Sequence, residues 1–202
     1  MGKLVAVEGP DYVGKTTLVQ HLTLELKERG FSVANFRFPP HERSREVDIL
    51  YDMFTRSGDP MAQQLALVKI FNAYMPKILN ALRENDLVVI DRYMLSVLVA
   101  CKALDLDLKE IQQAMRAAIV PPDVTIIYTG EPFVQPEDLT EAAEEFRDRV
   151  RKEFEDVPDE YRYPTVVVTN EAARHGHFKV FVEHLGDQVL GLLGRPLKKE
   201  TA

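Results

Sequence analysis

The sequence predicts an α/β protein built on a five-stranded parallel sheet with helices on both faces, and three observations carry that prediction. Short runs rich in Val and Ile alternate with longer amphipathic stretches, the pattern of repeated strand–helix units. The short runs are apolar almost throughout rather than at every second residue, as strands covered on both faces require. A turn bracketed by two glycines, Gly9 and Gly14, joins the first apolar run to the first amphipathic stretch.

Taken in order, strands are expected at Lys3–Glu8, Ser32–Arg37, Leu87–Asp91, Asp123–Thr129 and Thr165–Thr169. Helices are expected at Lys15–Glu28, about Ser44–Phe54, Pro60–Glu84, Leu95–Leu104, Leu108–Ala118, Pro136–Phe154 and His177–Leu193. Gly30 stands where a left-handed cap would close the first helix. Pro60 and Pro136 suit first helical positions, and Pro121-Pro122 separates a helix from the fourth strand. The polar tail Lys198–Ala202 is expected to fray. No internal repeat, low-complexity segment or linker interrupts the pattern, so 1–202 reads as one domain, with 130–145 as a short lid.

Composition narrows the function. The chain has 202 residues, a formal charge of −7 and a 46% hydrophobic content, enough for a true core. An acidic chain is a poor partner for a nucleic-acid backbone, which selects a basic face. Small anions answer to local charge and remain open as ligands. The single cysteine, Cys101, cannot form an internal disulfide, and it reads as buried packing in a reducing compartment. No apolar run approaches the roughly 20 residues of a membrane span. The first strand begins almost at Met1, leaving no room for a signal peptide. A cytoplasmic protein without nucleic-acid or membrane partners is expected.

Gly9-Pro10-Asp11-Tyr12-Val13-Gly14-Lys15-Thr16 fits the phosphate-binding pattern G-x-x-x-x-G-K-[ST], between a predicted strand and a predicted helix. The two glycines let the backbone curl so that successive N–H groups face a phosphate. The helix opening at Lys15 adds its positive end to the same anion. Lys15 is expected to reach the β- and γ-phosphates of ATP, the Thr16 hydroxyl to ligate Mg²⁺, and Thr17 to complete the cradle. Asp91, an acidic residue ending a buried strand, is expected to hold Mg²⁺ through water or to orient an acceptor phosphate. Arg92 beside it is a delocalised cation suited to bridging the migrating phosphoryl and its acceptor. Arg37 ends the second strand, on the edge where open α/β sheets bind ligands.

The flanking residues carry a resemblance. Val7-Glu8-Gly9-Pro10-Asp11 with Gly14-Lys15-Thr16-Thr17, then Arg37-Phe38-Pro39 with Glu42-Arg43-Ser44, resemble thymidylate kinases. So do Asp91-Arg92-Tyr93, Pro122-Asp123-Val124-Thr125 and Glu145-Phe146-Arg147-Asp148-Arg149-Val150, in the same order along the chain. The resemblance implies a P-loop kinase fold, a homodimer, nucleotide substrates, and MgATP-dependent phosphorylation of a deoxynucleoside monophosphate, dTMP by default. By resemblance Arg37 clamps the acceptor monophosphate and Asp11 contacts the deoxyribose 3′-hydroxyl. Phe38, Pro39, Arg43, Tyr93 and Ser96 fall in the acceptor site, and Glu8 lies near the metal. Phe71 falls near the family's base-stacking phenylalanine, a role that stands beside ordinary core packing. The adenine is implied at Asn170–Ala173.

The chain also departs from the family. Phe71-Asn72-Ala73-Tyr74-Met75 lacks the arginine that usually follows the stacking phenylalanine, with Lys69 and Lys77 as the nearest substitutes. Val99-Ala100-Cys101 replaces the tyrosine and glutamine expected after Ser96, which predicts altered base selection. The fourth strand ends in Tyr128-Thr129, where the family has Leu-Asp. Neither Asp11-Tyr12-Val13 nor Gly130–Thr140 contains an arginine or lysine, although the family takes a catalytic arginine from one or the other. Arg147, Arg149 and Arg151 are the nearest candidates. Two other functions stay open: a deoxynucleoside kinase with Glu8 as general base, and a nucleotide-binding module without transfer activity.

Overall fold

The computed structural model describes residues 1–40, 44–134, 140–157 and 161–195. The expected Arg43 contact, the Pro136 helix start and the polar tail lie outside these residues. Five strands form one parallel sheet: β1 (Lys3–Glu8), β2 (Val33–Arg37), β3 (Leu87–Asp91), β4 (Val124–Thr129) and β5 (Thr165–Thr169), in the order β2-β3-β1-β4-β5. The helices are α1 (Lys15–Glu28), α2 (Arg45–Arg56), α3 (Pro60–Glu84), α4 (Met94–Ala103), α5 (Leu108–Ala118), α6 (Glu141–Asp156), α7 (Glu171–Arg174) and α8 (Phe178–Leu192).

Alternation along β1 explains the layering. Leu4 and Ala6 pack with Ile70, Phe71, Val97 and Met115, so α3, α4 and α5 cover one face. Val5 and Val7 pack with Leu18, Leu22, Leu185 and Val189, so α1 and α8 cover the other. Both faces being dry, β3 and β4 are buried at every residue, which is why their sequences are continuous Val/Ile runs. The register sets Arg37 beside Asp91 and Val7 beside Asp91, bringing the carboxyl ends of β1, β2 and β3 level. Ligands of open α/β sheets bind at this edge.

The element boundaries match expectation or depart from it by one or two residues, except that α6 is described from Glu141, and the short α7 is additional. Pro60 follows the Asp59 cap, whose side chain accepts from the Met61 N–H at 2.9 Å. Asp107 and Ser44 cap α5 and α2 in the same way. Among the described residues, no helix is long and apolar enough to cross a membrane.

Candidate active site

The cradle forms where β1 ends. Gly9 has φ 145°, and a side chain there would meet the Tyr128 carbonyl oxygen at 2.0 Å, so only glycine lets the loop lie against β4. Gly14, at φ 93°, caps α1 with no side-chain hydrogen bond. The first N–H groups of α1 are thereby left for an anion. The loop is braced from behind: the Phe133 N–H donates to the Tyr12 carbonyl at 2.9 Å. Buried Asn170 ties the same region together, its Nδ2 donating to the Val13 carbonyl at 3.3 Å and the Glu131 carbonyl at 2.6 Å.

Lys15 is 5% exposed, and its ammonium donates to the Pro10 carbonyl. Burial, with the Arg92 charge second, lowers its pKa to about 7, while Asp11, Asp91 and Glu8 act in the other direction. A phosphate arriving here would meet a buried lysine whose hydrogen bond goes to a neutral carbonyl.

The Thr16 hydroxyl donates to Asp91 Oδ2 at 2.6 Å. This contact brings the two expected metal ligands, 75 residues apart in sequence, to one point. Among the described residues there is no cluster of three His, Cys, Asp or Glu side chains. The donor set is therefore one hydroxyl and one carboxylate, and it fits magnesium. That ion takes hard oxygens and completes its shell with water and substrate phosphates rather than with a full protein cage.

Arg92 holds a left-handed backbone at φ 66°, uncommon for a side-chain-bearing residue. Its neighbours enforce it: the Arg92 N–H donates to the Val7 carbonyl at 2.9 Å, and the next turn is pinned by Glu8. Glu8 is fully buried. Its Oε1 accepts from the Tyr93 and Leu95 N–H groups, each at 2.9 Å, and its Oε2 from the Ser96 hydroxyl at 2.5 Å. A carboxylate on β1 thus anchors the N-terminus of α4. Burial raises its pKa, and the hydrogen bonds from Ser96 and Tyr93 work against that rise. The Arg92 guanidinium pairs with Asp11.

Two cavities flank this point. A donor-side cavity of about 550 Å³ is lined by Gly14, Lys15, Thr16, Thr17 and Asp91, with Tyr128, Phe133, Ala173 and Phe178 on its apolar wall. An acceptor-side cavity of about 600 Å³ is lined by Phe38, Pro39, Phe71 and Ser96, with Phe146, Val150 and Phe154 of α6 opposite. Asp11 and Arg92 line both.

The remaining expected residues are sorted by these cavities. Arg37 lines the donor side with Asp91, not the acceptor side where the monophosphate clamp was expected. Phe71 lines the acceptor cavity but is only 1% exposed, its ring 4.4 Å from that of Phe38 and edge-on to Tyr93 at 5.5 Å. Core packing and cavity lining are both true of it. Tyr93 lines neither cavity: it is fully buried, and its hydroxyl donates to the Val120 carbonyl at 2.8 Å. Ser96 faces the acceptor cavity with its proton already given to Glu8. Lys69 and Lys77 line neither cavity, and Lys77 lies over the Tyr74 ring. Of the three α6 arginines, Arg149 pairs outward with Asp105 at 2.6 Å. Arg151 lines the acceptor cavity beside Asp148. Arg147 lines the same cavity with its guanidinium 4.9 Å from the ring centre of Tyr12 in the cradle. Ala173, in the segment implied for adenine, lines the donor cavity. Gln64 and Phe133 carried no local signal in the sequence, because their placement depends on packing between elements far apart in the chain.

Comparison with known proteins places the chain in a family. The family model for thymidylate kinase matches residues 7–175. A protein described as "Probable thymidylate kinase" from Archaeoglobus fulgidus is 29% identical over 131 residues, covering 65% of this chain and 66% of the relative. The match thus spans just under two thirds of that relative's length. One of the same description from Methanopyrus kandleri is 32% identical over 158 residues, covering 76% of this chain and 73% of the relative. The crystal structure of thymidylate kinase from Ehrlichia chaffeensis superposes with a TM-score of 0.71 at 24% identity, covering 94% of this chain and 98% of that one. This last likeness shows the shared P-loop kinase fold. With the motif residues gathered at one sheet edge and the family model spanning most of the sequence, the chain belongs to the thymidylate kinase family.

Proposed function

We propose that the protein phosphorylates dTMP to dTDP with MgATP, by in-line transfer of the γ-phosphoryl group. The observation that carries the reading is the meeting of two cavities at Asp11 and Arg92, next to the Thr16–Asp91 pair. ATP would lie in the donor cavity with its phosphates on the cradle N–H groups and Lys15. Magnesium would be held by Thr16 and Asp91, and it would supply positive charge to offset that of the donor phosphates. Arg92 exchanges its Asp11 partner for phosphate oxygens between the two substrates, and Arg37 adds positive charge from the donor side.

An oxygen of the dTMP phosphate forms the new bond to the γ-phosphorus as the bond to the β–γ bridging oxygen breaks, and ADP leaves with that electron pair. The attacking oxygen is already anionic, so the reaction needs no general base. Glu8, the one candidate base for a deoxynucleoside kinase, has both oxygens committed to α4, which weighs against that alternative. Arg147 takes the place of the absent cradle or lid arginine: stacked on Tyr12 and facing the acceptor cavity, it covers the transferring group from the α6 side. The same reading includes a homodimer in the cytoplasm, which light scattering and cell fractionation test. ADP release measured across nucleosides and all common monophosphates tests the activity. Turnover with dTMP and none with thymidine is expected; turnover with nucleosides alone would contradict the reading.

A further inference from the structure

We propose that the Gln64 carboxamide is the base-reading group of the acceptor cavity and selects a pyrimidine with a 2,4-dioxo edge. The inference rests on the thymidylate kinase reading and names the residue that gives the site its specificity. The glutamine expected after Ser96 is absent, and small Ala100 lines the cavity in that stretch. On α3, Gln64, Leu67 and Phe71 fall at i, i+3 and i+7, a single stripe, and all three line the cavity.

Gln64 is 4% exposed, and its buried Oε1 has no hydrogen-bond partner among the described residues. An unpaired buried carboxamide oxygen is costly, and each such group in a native interior calls for an explanation. The other polar groups along this wall are occupied. Gln63 Nε2 donates to the Ser57 carbonyl at 2.7 Å, the Thr55 hydroxyl to the Tyr51 carbonyl at 2.9 Å, and the Ser96 hydroxyl to Glu8. On α6 opposite, Phe146, Val150 and Phe154 can pack on a base but cannot read its edge, while Arg147 sits over the Tyr12 ring and Arg151 pairs with Asp148. A carboxamide presents an acceptor and a donor side by side. The 2,4-dioxo edge answers both, its N3–H donating to Oε1 while a flanking carbonyl accepts from Nε2. A site whose buried polar group is left unpaired by the wrong ligand discriminates strongly.

The test compares dTMP with 3-methylthymidine monophosphate, which lacks the N3 proton, in the wild type and in Gln64→Leu. The wild type is expected to favour dTMP by at least about thirtyfold in kcat/KM. Gln64→Leu is expected to lose about tenfold or more on dTMP, chiefly in KM, and to change less than twofold on the methylated analogue. Preference then falls by about tenfold while the melting temperature is held. Equal losses on both substrates would mark Gln64 as structural and overturn the assignment. If Gln64→Leu fails to fold, the wild-type preference decides: turnover of dTMP with less than threefold discrimination at N3 overturns the Gln64 assignment alone. Absence of any turnover with dTMP overturns both this assignment and the proposed function.

Discussion

Removing the Glu8 side chain separates what this carboxylate does from what a cradle residue would do. In Glu8→Ala three donors lose their acceptor: the Tyr93 N–H, the Leu95 N–H and the Ser96 hydroxyl, the first two buried. Leaving a buried donor unpaired costs about 1–3 kcal/mol. The penalty of burying the carboxylate disappears at the same time, so a net loss of about 3–5 kcal/mol is expected. Glu8→Gln keeps Oε1 for both N–H groups and can offer its NH₂ to the Ser96 oxygen, so its loss should be near 1 kcal/mol. Urea unfolding of the nucleotide-free protein measures both. The pH dependence gives an independent check. Burial raises the Glu8 pKa above its ordinary 4.5, so the native state holds this proton more tightly than the unfolded chain. The stability it contributes is complete below 4.5 and is lost as pH rises through the folded pKa. Glu8→Gln has no such loss, so the wild type should lose stability relative to it on going from pH 4.5 to 7. A cost under 1 kcal/mol for Glu8→Ala, or parallel pH profiles for wild type and Glu8→Gln, would refute the anchoring role.

Two other outcomes follow from the site. The Lys15 pKa is lowered to about 7 from 10.5; between these values the unfolded chain binds more protons than the native one, so stability rises with pH. Relative to Lys15→Met, the nucleotide-free wild type should gain about 1.5 kcal/mol from pH 7 to 8.5 in urea unfolding; matching slopes would contradict the buried-lysine picture. Arg147→Ala should lower kcat by about 10³-fold, the low end of what a transfer arginine supplies, with ATP affinity changed less than about threefold. A loss below tenfold would make its stacking on Tyr12 only structural.

Much of the fold was legible because burial on both faces leaves a direct trace in composition. Leu87–Asp91, buried at every residue, could be bounded to the residue, since its Val/Ile run stops where the sheet ends; Thr165–Thr169, a partly exposed edge strand, was bounded by its β-branched run alone. The cradle was legible for a different reason: glycine spacing, lysine and threonine all lie within nine residues. What escaped depends on contacts between distant segments. Glu8 was expected near the metal, and its hydrogen bonds to residues 85 to 88 positions away left no local trace in the sequence. The resemblance gave Arg37 to the acceptor phosphate, and its strand-end position alone does not say which cavity a side chain enters. Arg147 was one of three basic residues in Arg147–Arg151, and only the helical rotation of α6 separates it from Arg149, which faces Asp105. Four-residue α7 has too few positions to show a period.

Phosphorus NMR observes the proposed direct transfer from ATP to the 5′-phosphate of dTMP without coupling enzymes. With protein, magnesium, ATP and dTMP together, the γ-resonance of ATP should decay as ADP and dTDP resonances grow in equal amounts. Omitting dTMP, or replacing it with thymidine, should leave ATP intact. Release of inorganic phosphate without dTDP, or phosphorylation of thymidine, would contradict the account.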